Sequence, residues 1–99
     1  MRWEFHPEAL HEYQQSVRYY AERDPQLARR FVEAVEDAIR RILDAPLAWR
    51  MLDDDVRRCL TRVFPYGVLY VVEADVILIL AVMHGSREPG YWRSRIVGP

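Results

Sequence analysis

The sequence contains no lysine, and all 14 of its basic residues are arginine. Any cationic surface it builds therefore leans toward planar, bidentate recognition of phosphate or carboxylate. There is a single cysteine, Cys59, which excludes an intrachain disulfide and a structural zinc site built on thiolates. That residue reads as a small buried thiol. No apolar run approaches the roughly 20 residues that span a bilayer, and no signal-peptide core is present. The expectation is a soluble cytoplasmic protein with no membrane role. Repeats, linkers and low-complexity stretches are missing too, and 99 residues suit one domain, 1–99, around a single core.

The net charge of −1 hides an asymmetry. As far as Asp55 the chain holds eight arginines against twelve acids, and from Val56 onward six arginines against three acids. The second half is the face better suited to a polyanion. The acid run Asp53-Asp54-Asp55 reads as a solvated turn, because consecutive residues seldom converge on one metal ion.

In chain order, Met1 to Phe5 alternates like a short strand. His6-Pro7-Glu8 opens a helix, with proline at its first position and an acid at the positive end of the dipole. Leu10, Tyr13, Val17 and Tyr20 form its apolar stripe, and it ends near Arg23. Asp24-Pro25 starts a second helix, striped by Leu27, Phe31, Val35, Ala38 and Ile42, which Pro46 follows. So short a break predicts a helical hairpin, and the wide second stripe requires a sheet beneath it. Leu47 to Val56 reads as a loop. Arg57 to Phe64 is β-compatible, and Pro65-Tyr66-Gly67 interrupts it. Val68 to Val72 and Val76 to Met83 pair as a hairpin, the latter an apolar run buried on both faces. The expected fold is α+β, in the order β-α-α-β-β-β, with the helical hairpin packed on a mostly antiparallel sheet.

Chemistry concentrates after that last strand, in His84-Gly85-Ser86-Arg87 and Pro89-Gly90-Tyr91-Trp92-Arg93-Ser94-Arg95. A rigid strand ends here and irregular backbone begins, which is where function tends to sit. A histidine moves protons near neutral pH, a guanidinium holds phosphate charge, and a tyrosine stacks or donates a proton. Together they are the parts needed to cleave RNA through its 2′-hydroxyl without a metal or cofactor, and equally the parts of a plain binding patch. Of the adjacent Tyr91 and Trp92, one is expected to anchor the tail on the sheet.

Phe64-Pro65-Tyr66-Gly67-Val68-Leu69-Tyr70, the apolar strand, and His84-Gly85-Ser86-Arg87-Glu88-Pro89-Gly90-Tyr91-Trp92-Arg93-Ser94-Arg95 together resemble the RelE/ParE superfamily of type II toxins, in the group of plasmid stabilisation proteins. The resemblance runs over nearly the whole chain and implies a small toxin neutralised by a cognate antitoxin. RelE-like members cut mRNA in the ribosomal A site, whereas ParE-like members poison DNA gyrase and are not nucleases. The RNases carry an arginine just after the last strand, which Arg87 matches, and a tyrosine further on, for which Tyr91 is the nearest match. They also carry basic residues before the central turn, which Arg58 and Arg62 supply. Where they place an arginine after the turn aromatic, this chain has Gly67, and the His-Gly-x-Arg ending also resembles ParE-like proteins.

The clustering of basic residues favours ribosome-dependent mRNA cleavage, with His84, Arg87 and Tyr91 as catalytic residues and Arg58, Arg62 and Arg95 as RNA contacts. Gyrase inhibition is the alternative, and a non-toxic module that keeps the fold is a third reading. Trp49, Met51 and Leu52, with the groove beside the helices, are expected to bind the antitoxin, a homodimer being the less favoured outlet.

Overall fold

Asp24 divides the N-terminal half of the chain into two helices. Its backbone N–H donates to the Tyr20 carbonyl at 2.8 Å, closing α1 (Pro7–Arg23), while its carboxylate accepts the Gln26 N–H at 3.0 Å, opening α2 (Pro25–Asp44). With one residue between them, the helices fold back as an antiparallel hairpin. The computed structural model describes residues 1–53 and 55–96. Asp54 of the acid run and the last three residues of the expected domain lie outside the described residues.

The apolar stripe of α2 is buried as expected, through Ala28, Phe31, Val35, Ala38, Ile39 and Ile42. On α1 three of the four expected stripe residues, Tyr13, Val17 and Tyr20, pack against the core, while the first turn is rotated. Ala9 is fully buried and Leu10 is exposed, so the sheet-facing row runs Ala9, Glu12, Tyr13, Ser16, Tyr20 at helical spacing. That rotation places a carboxylate on the inner face.

Among the described residues, five strands form one sheet in the order β1-β5-β4-β3-β2. β1 (Arg2–Phe5) lies parallel to β5 (Val76–His84), and the remaining pairs are antiparallel, with β4 (Tyr66–Glu73) at the centre. The α+β class and the helical hairpin hold, with one strand more than expected. Within the segment read as a loop, β2 (Arg50–Asp53) pairs antiparallel with β3 (Val56–Leu60) at the sheet edge. A four-residue edge strand is bonded on one side only and needs little apolar alternation to form. β3 also stops at Leu60, before the expected Phe64. The chain reverses there through two successive three-residue turns, in which Phe64 N–H donates to the Arg62 carbonyl and Tyr66 N–H to the Phe64 carbonyl.

Each face of the sheet has its own core. Under the helices, the Phe31 ring meets Tyr13, Tyr20, Phe64 and Tyr66 at centroid distances of 6.0, 5.1, 5.4 and 4.7 Å. Cys59 is wholly buried on this side, and burial pushes its thiol pKa up. On the opposite face Val56, Leu69, Val71, Leu80 and Ala81 pack beneath the C-terminal tail, whose Trp92 is buried and serves as the anchor. The tail's turn favours Gly90, whose φ of +80 is a backbone conformation that other residues adopt only with strain.

Burial, followed by the neighbouring Tyr66, pushes Tyr20 up to about 12; burial, partly offset by Arg57, pushes Tyr70 up to about 12. The folded state holds these phenolic protons more tightly than the unfolded chain, whose tyrosines titrate at the ordinary value of 10.0. Stability is therefore unaffected by these groups below pH 10 and falls between pH 10 and about 12. Denaturant midpoints across that range, read beside tyrosinate absorbance, check it; midpoints that stay level up to pH 12 would contradict the buried, neutral phenols.

Candidate functional site

β5 outruns its neighbour. β1 accompanies it only as far as Phe5 opposite Ile79, so the last stretch of the strand, from Leu80 to His84, has no partner strand on that side among the described residues. Just past this point β5 bulges. Leu69 pairs with Ala81 and Tyr70 with Ile79, which leaves Leu80 as an inserted residue. Consequently Leu80 and Ala81 both face the tail, whereas Ile79 and Val82 face the helices.

A bulge beyond the end of a neighbouring strand frees backbone groups that must be satisfied by something else. Here the Glu12 carboxylate on α1 accepts the Val82 N–H at 3.2 Å, and the Arg95 guanidinium donates to the Leu80 carbonyl at 2.9 Å. Arg95 also grips both carboxylate oxygens of Glu12, at 2.8 and 3.1 Å. Both side chains are nearly out of solvent, at 8% and 12% exposure. Burial works against the Arg95 charge, but hydrogen bonding and attraction to Glu12 outweigh it and raise the guanidinium pKa.

Beside this pair lies an open cleft of about 400 Å³. α1 lines it with Glu12, Ser16 and Tyr20, β4 with Tyr66, and β5 and the following turn with His84 and Arg87. Tyr66 donates its hydroxyl to Ser16 at 3.1 Å, which ties the helix to the sheet across the floor. His84 stands edge-on to Tyr66, with ring centroids 5.1 Å apart. Its Nδ1 accepts the Ser86 N–H at 3.0 Å and lies 2.8 Å from the Ser86 hydroxyl. One face of the imidazole is thus committed to shaping the Gly85-Ser86 turn.

The structure brings His84 and Arg87 to one cleft and separates the other expected site residues from it. Arg87 is half exposed, 3.8 Å from Glu12 Oε2, and its guanidinium lies 3.8 Å above the Tyr91 ring. Tyr91 lies behind Arg87; its hydroxyl is buried and has no hydrogen-bond partner among the described residues. Burial first, and the Glu12 carboxylate second, push its pKa well above the ordinary tyrosine range. Arg95 is a departure from expectation, since a guanidinium already bonded to Glu12 and to the Leu80 carbonyl is not presented to RNA. Arg58 and Arg62 do not line the cleft; Arg62 lies in the β3–β4 turn, 3.5 Å from Asp37. Among the antitoxin candidates, Trp49 is half-buried and donates its indole N–H to the Arg41 carbonyl, and Leu52 packs on the tail-side core. Met51 alone of the three is largely exposed.

Glu12 was not a candidate from sequence. Its signal is a carboxylate on the inward row between Ala9 and Tyr13, a position where a charge requires a partner. Among the described residues no group of three or more histidine, cysteine or acidic side chains is placed to hold a metal, and no helix is long and apolar enough to cross a membrane.

Residues 3–89 match the family model described as the ParE toxin of the parDE type II toxin-antitoxin system. The chain belongs to the ParE toxin family. It is 36% identical over 81 residues to Toxin ParE2 of Mycobacterium tuberculosis, in strains CDC 1551 and H37Rv, covering 81% of this chain and 77% of the relative. Among solved structures, a chain of the chromosomal ParDE system from P. aeruginosa superposes with a TM-score of 0.74 at 17% identity, covering 85% of this ParE-family chain and 95% of that one. At that identity the likeness is one of fold.

In this ParE-family protein, Glu12→Gln removes the charge that holds Arg95 and is expected to cost about 3 kcal/mol, since it leaves a nearly buried guanidinium unpaired. Arg95→Met made together with Glu12→Gln should cost less than the two single changes summed. Urea unfolding of the four proteins checks this; simple additivity would show that the two side chains do not act as a pair.

Proposed function

We propose that this protein is the toxin of a type II toxin–antitoxin pair and that it acts by binding and inhibiting DNA gyrase, not by cutting mRNA. The toxin role follows from membership of the ParE family. The choice of target is supported above all by the position of Tyr91. Cleavage by the 2′-hydroxyl needs an acid, a base and a cation converging within hydrogen-bond reach of one phosphate. The Tyr91 hydroxyl is buried behind Arg87, and its pKa is raised away from the range useful for proton transfer at neutral pH. Arg87 has an acidic neighbour in Glu12, and Arg95 is bonded within the protein. Arg58 and Arg62, the remaining expected RNA contacts, lie outside the cleft. What is left open to solvent is a shallow, mixed surface suited to binding.

Purified protein should therefore inhibit supercoiling by gyrase and leave mRNA intact on translating ribosomes. Tyr91→Phe should keep full potency, because it deletes only a buried hydroxyl beside Glu12 and retains the ring beneath Arg87. For a nuclease that used Tyr91 as its acid, the same change would cost about 10²- to 10⁴-fold in cleavage. Cut mRNA that Arg87→Ala and Tyr91→Phe both spare would overturn the gyrase reading.

The partner that neutralises it is an antitoxin, and the surface best suited to receive a segment of it is the groove beside β1. This groove of about 570 Å³ is lined by Trp3, Phe5, Tyr13, Ile39 and Leu43 together with Glu36 and Arg40, next to the edge of β1 that is unpaired among the described residues. An extended or helical segment laid there would cover apolar surface and meet free backbone groups. Co-expression with the adjacent reading frame should yield a stable complex. Trp3→Ala should weaken it about tenfold or more, as loss of a central aromatic contact does. A Trp3→Ala complex of undiminished affinity would place the antitoxin elsewhere.

A further inference from the structure

The turn between β3 and β4 presents a residue that neither folding nor solubility explains. Both ends of the turn are pinned inside. Thr61 is buried, its N–H donates to the Tyr66 carbonyl at 3.0 Å and its hydroxyl to the Phe64 carbonyl at 2.8 Å. Phe64 packs into the aromatic core against Tyr20 and Phe31. Between them the Phe64 N–H reaches back to the Arg62 carbonyl at 2.8 Å, with Val63 at the centre of the turn at φ +74. This is the strained, positive-φ form of the γ-turn.

Valine is poorly suited to that position. Its branched Cβ crowds the backbone in the left-handed region, where glycine or asparagine sits without difficulty. Its side chain also gains nothing from the fold, since Val63 is 98% exposed. A residue that strains the backbone and leaves an apolar group in water marks a surface that acts on something else.

Its surroundings define the partner. Leu60 beside it is 55% exposed and the Arg62 side chain 69%. Next to them is a hollow of about 260 Å³ lined by Arg58, Leu60, Pro65 and Met83 among others, with no carboxylate in its lining among the described residues, although Arg62 lies 3.5 Å from Asp37. The stem of Arg58 lies flat across β4 because Gly67 has no side chain there; a Cβ would sit 3.1 Å from it. The surface is thus an aliphatic knob beside a hollow, flanked by two guanidiniums. A phosphate backbone offers nothing to an aliphatic tip, and single-stranded bases want an aromatic platform, which this tip lacks. An apolar recess rimmed by carboxylates on a folded protein satisfies both the knob and the arginines.

We propose that Val63, flanked by Leu60, Arg58 and Arg62, is the tip by which this toxin docks on an acidic, apolar-recessed surface of its protein target. The assignment rests on the reading of the protein as a toxin that acts by binding. Val63→Gly separates function from folding, because glycine accepts the turn's backbone and removes only the knob. The variant is expected to be as stable as the parent or more so, and to inhibit gyrase at least about tenfold more weakly. Arg62→Ala should weaken inhibition in the same direction, more at low salt than at high.

Equal potency of Val63→Gly against gyrase overturns the tip and leaves the gyrase reading standing. If the parent protein spares gyrase, that reading fails, and growth arrest on induced expression then decides the tip. Arrest lost in a folded Val63→Gly variant supports it, and arrest retained overturns it. A parent protein that is dimeric and becomes monomeric on Val63→Gly would assign the tip to self-association and overturn docking on a target.

Discussion

The ion pair between Glu12 and Arg95 is the constraint from which the rest of this molecule is best understood. It is more than an attraction between charges, because each partner also satisfies a backbone group beside the Leu80 bulge. The bulge carries Leu80 and Ala81 to the same face of the sheet and so widens the apolar floor on which Trp92 rests. The pair therefore closes a cycle in which the bulge creates the tail's seat, the tail delivers Arg95, and Arg95 stabilises the bulge. It also blunts the edge of β5 where β1 has ended, an edge that would otherwise be open to pairing with another chain.

Arg87 derives its position from the same pair. With Glu12 on one side and the Tyr91 ring beneath, it has an electrostatic neighbour and a flat support. A second guanidinium, that of Arg95, lies 5.0 Å from the same ring. Two like charges share one aromatic surface because one carboxylate lies between them. A residue on the first helix thus sets the electrostatics of a turn whose residues lie more than seventy positions away.

Much of this fold is legible in the sequence, for reasons that can be named. Asp24-Pro25 states a helix start in local chemistry, and the stripe of α2 states its buried face, because both depend on neighbours three or four residues away. The β4–β5 hairpin is legible from two apolar runs around a short connection. Toxin identity is legible from the order of the short motifs, and the family match agrees with it. The illegible parts are non-local. The four residues of β2 form a strand because β3 is there to receive them, not because Arg50-Met51-Leu52-Asp53 alternates. The burial of Arg95, and with it the loss of an expected RNA contact, depends on Glu12 at a separation of 83 residues.

The parallel pairing of β1 with β5 bears on synthesis. Arg2 to Phe5 leaves the ribosome well before its partner, Val76 to Ile79. Glu12 likewise waits for Arg95, 83 residues further on. Contacts of such sequence separation form late and slowly. Until Arg95 has been made, a nascent chain has its helical hairpin but neither a complete sheet nor a seated tail, and Arg87 has no fixed position in it. The cleft beside Glu12 therefore takes its final form only once the chain has been made as far as Arg95.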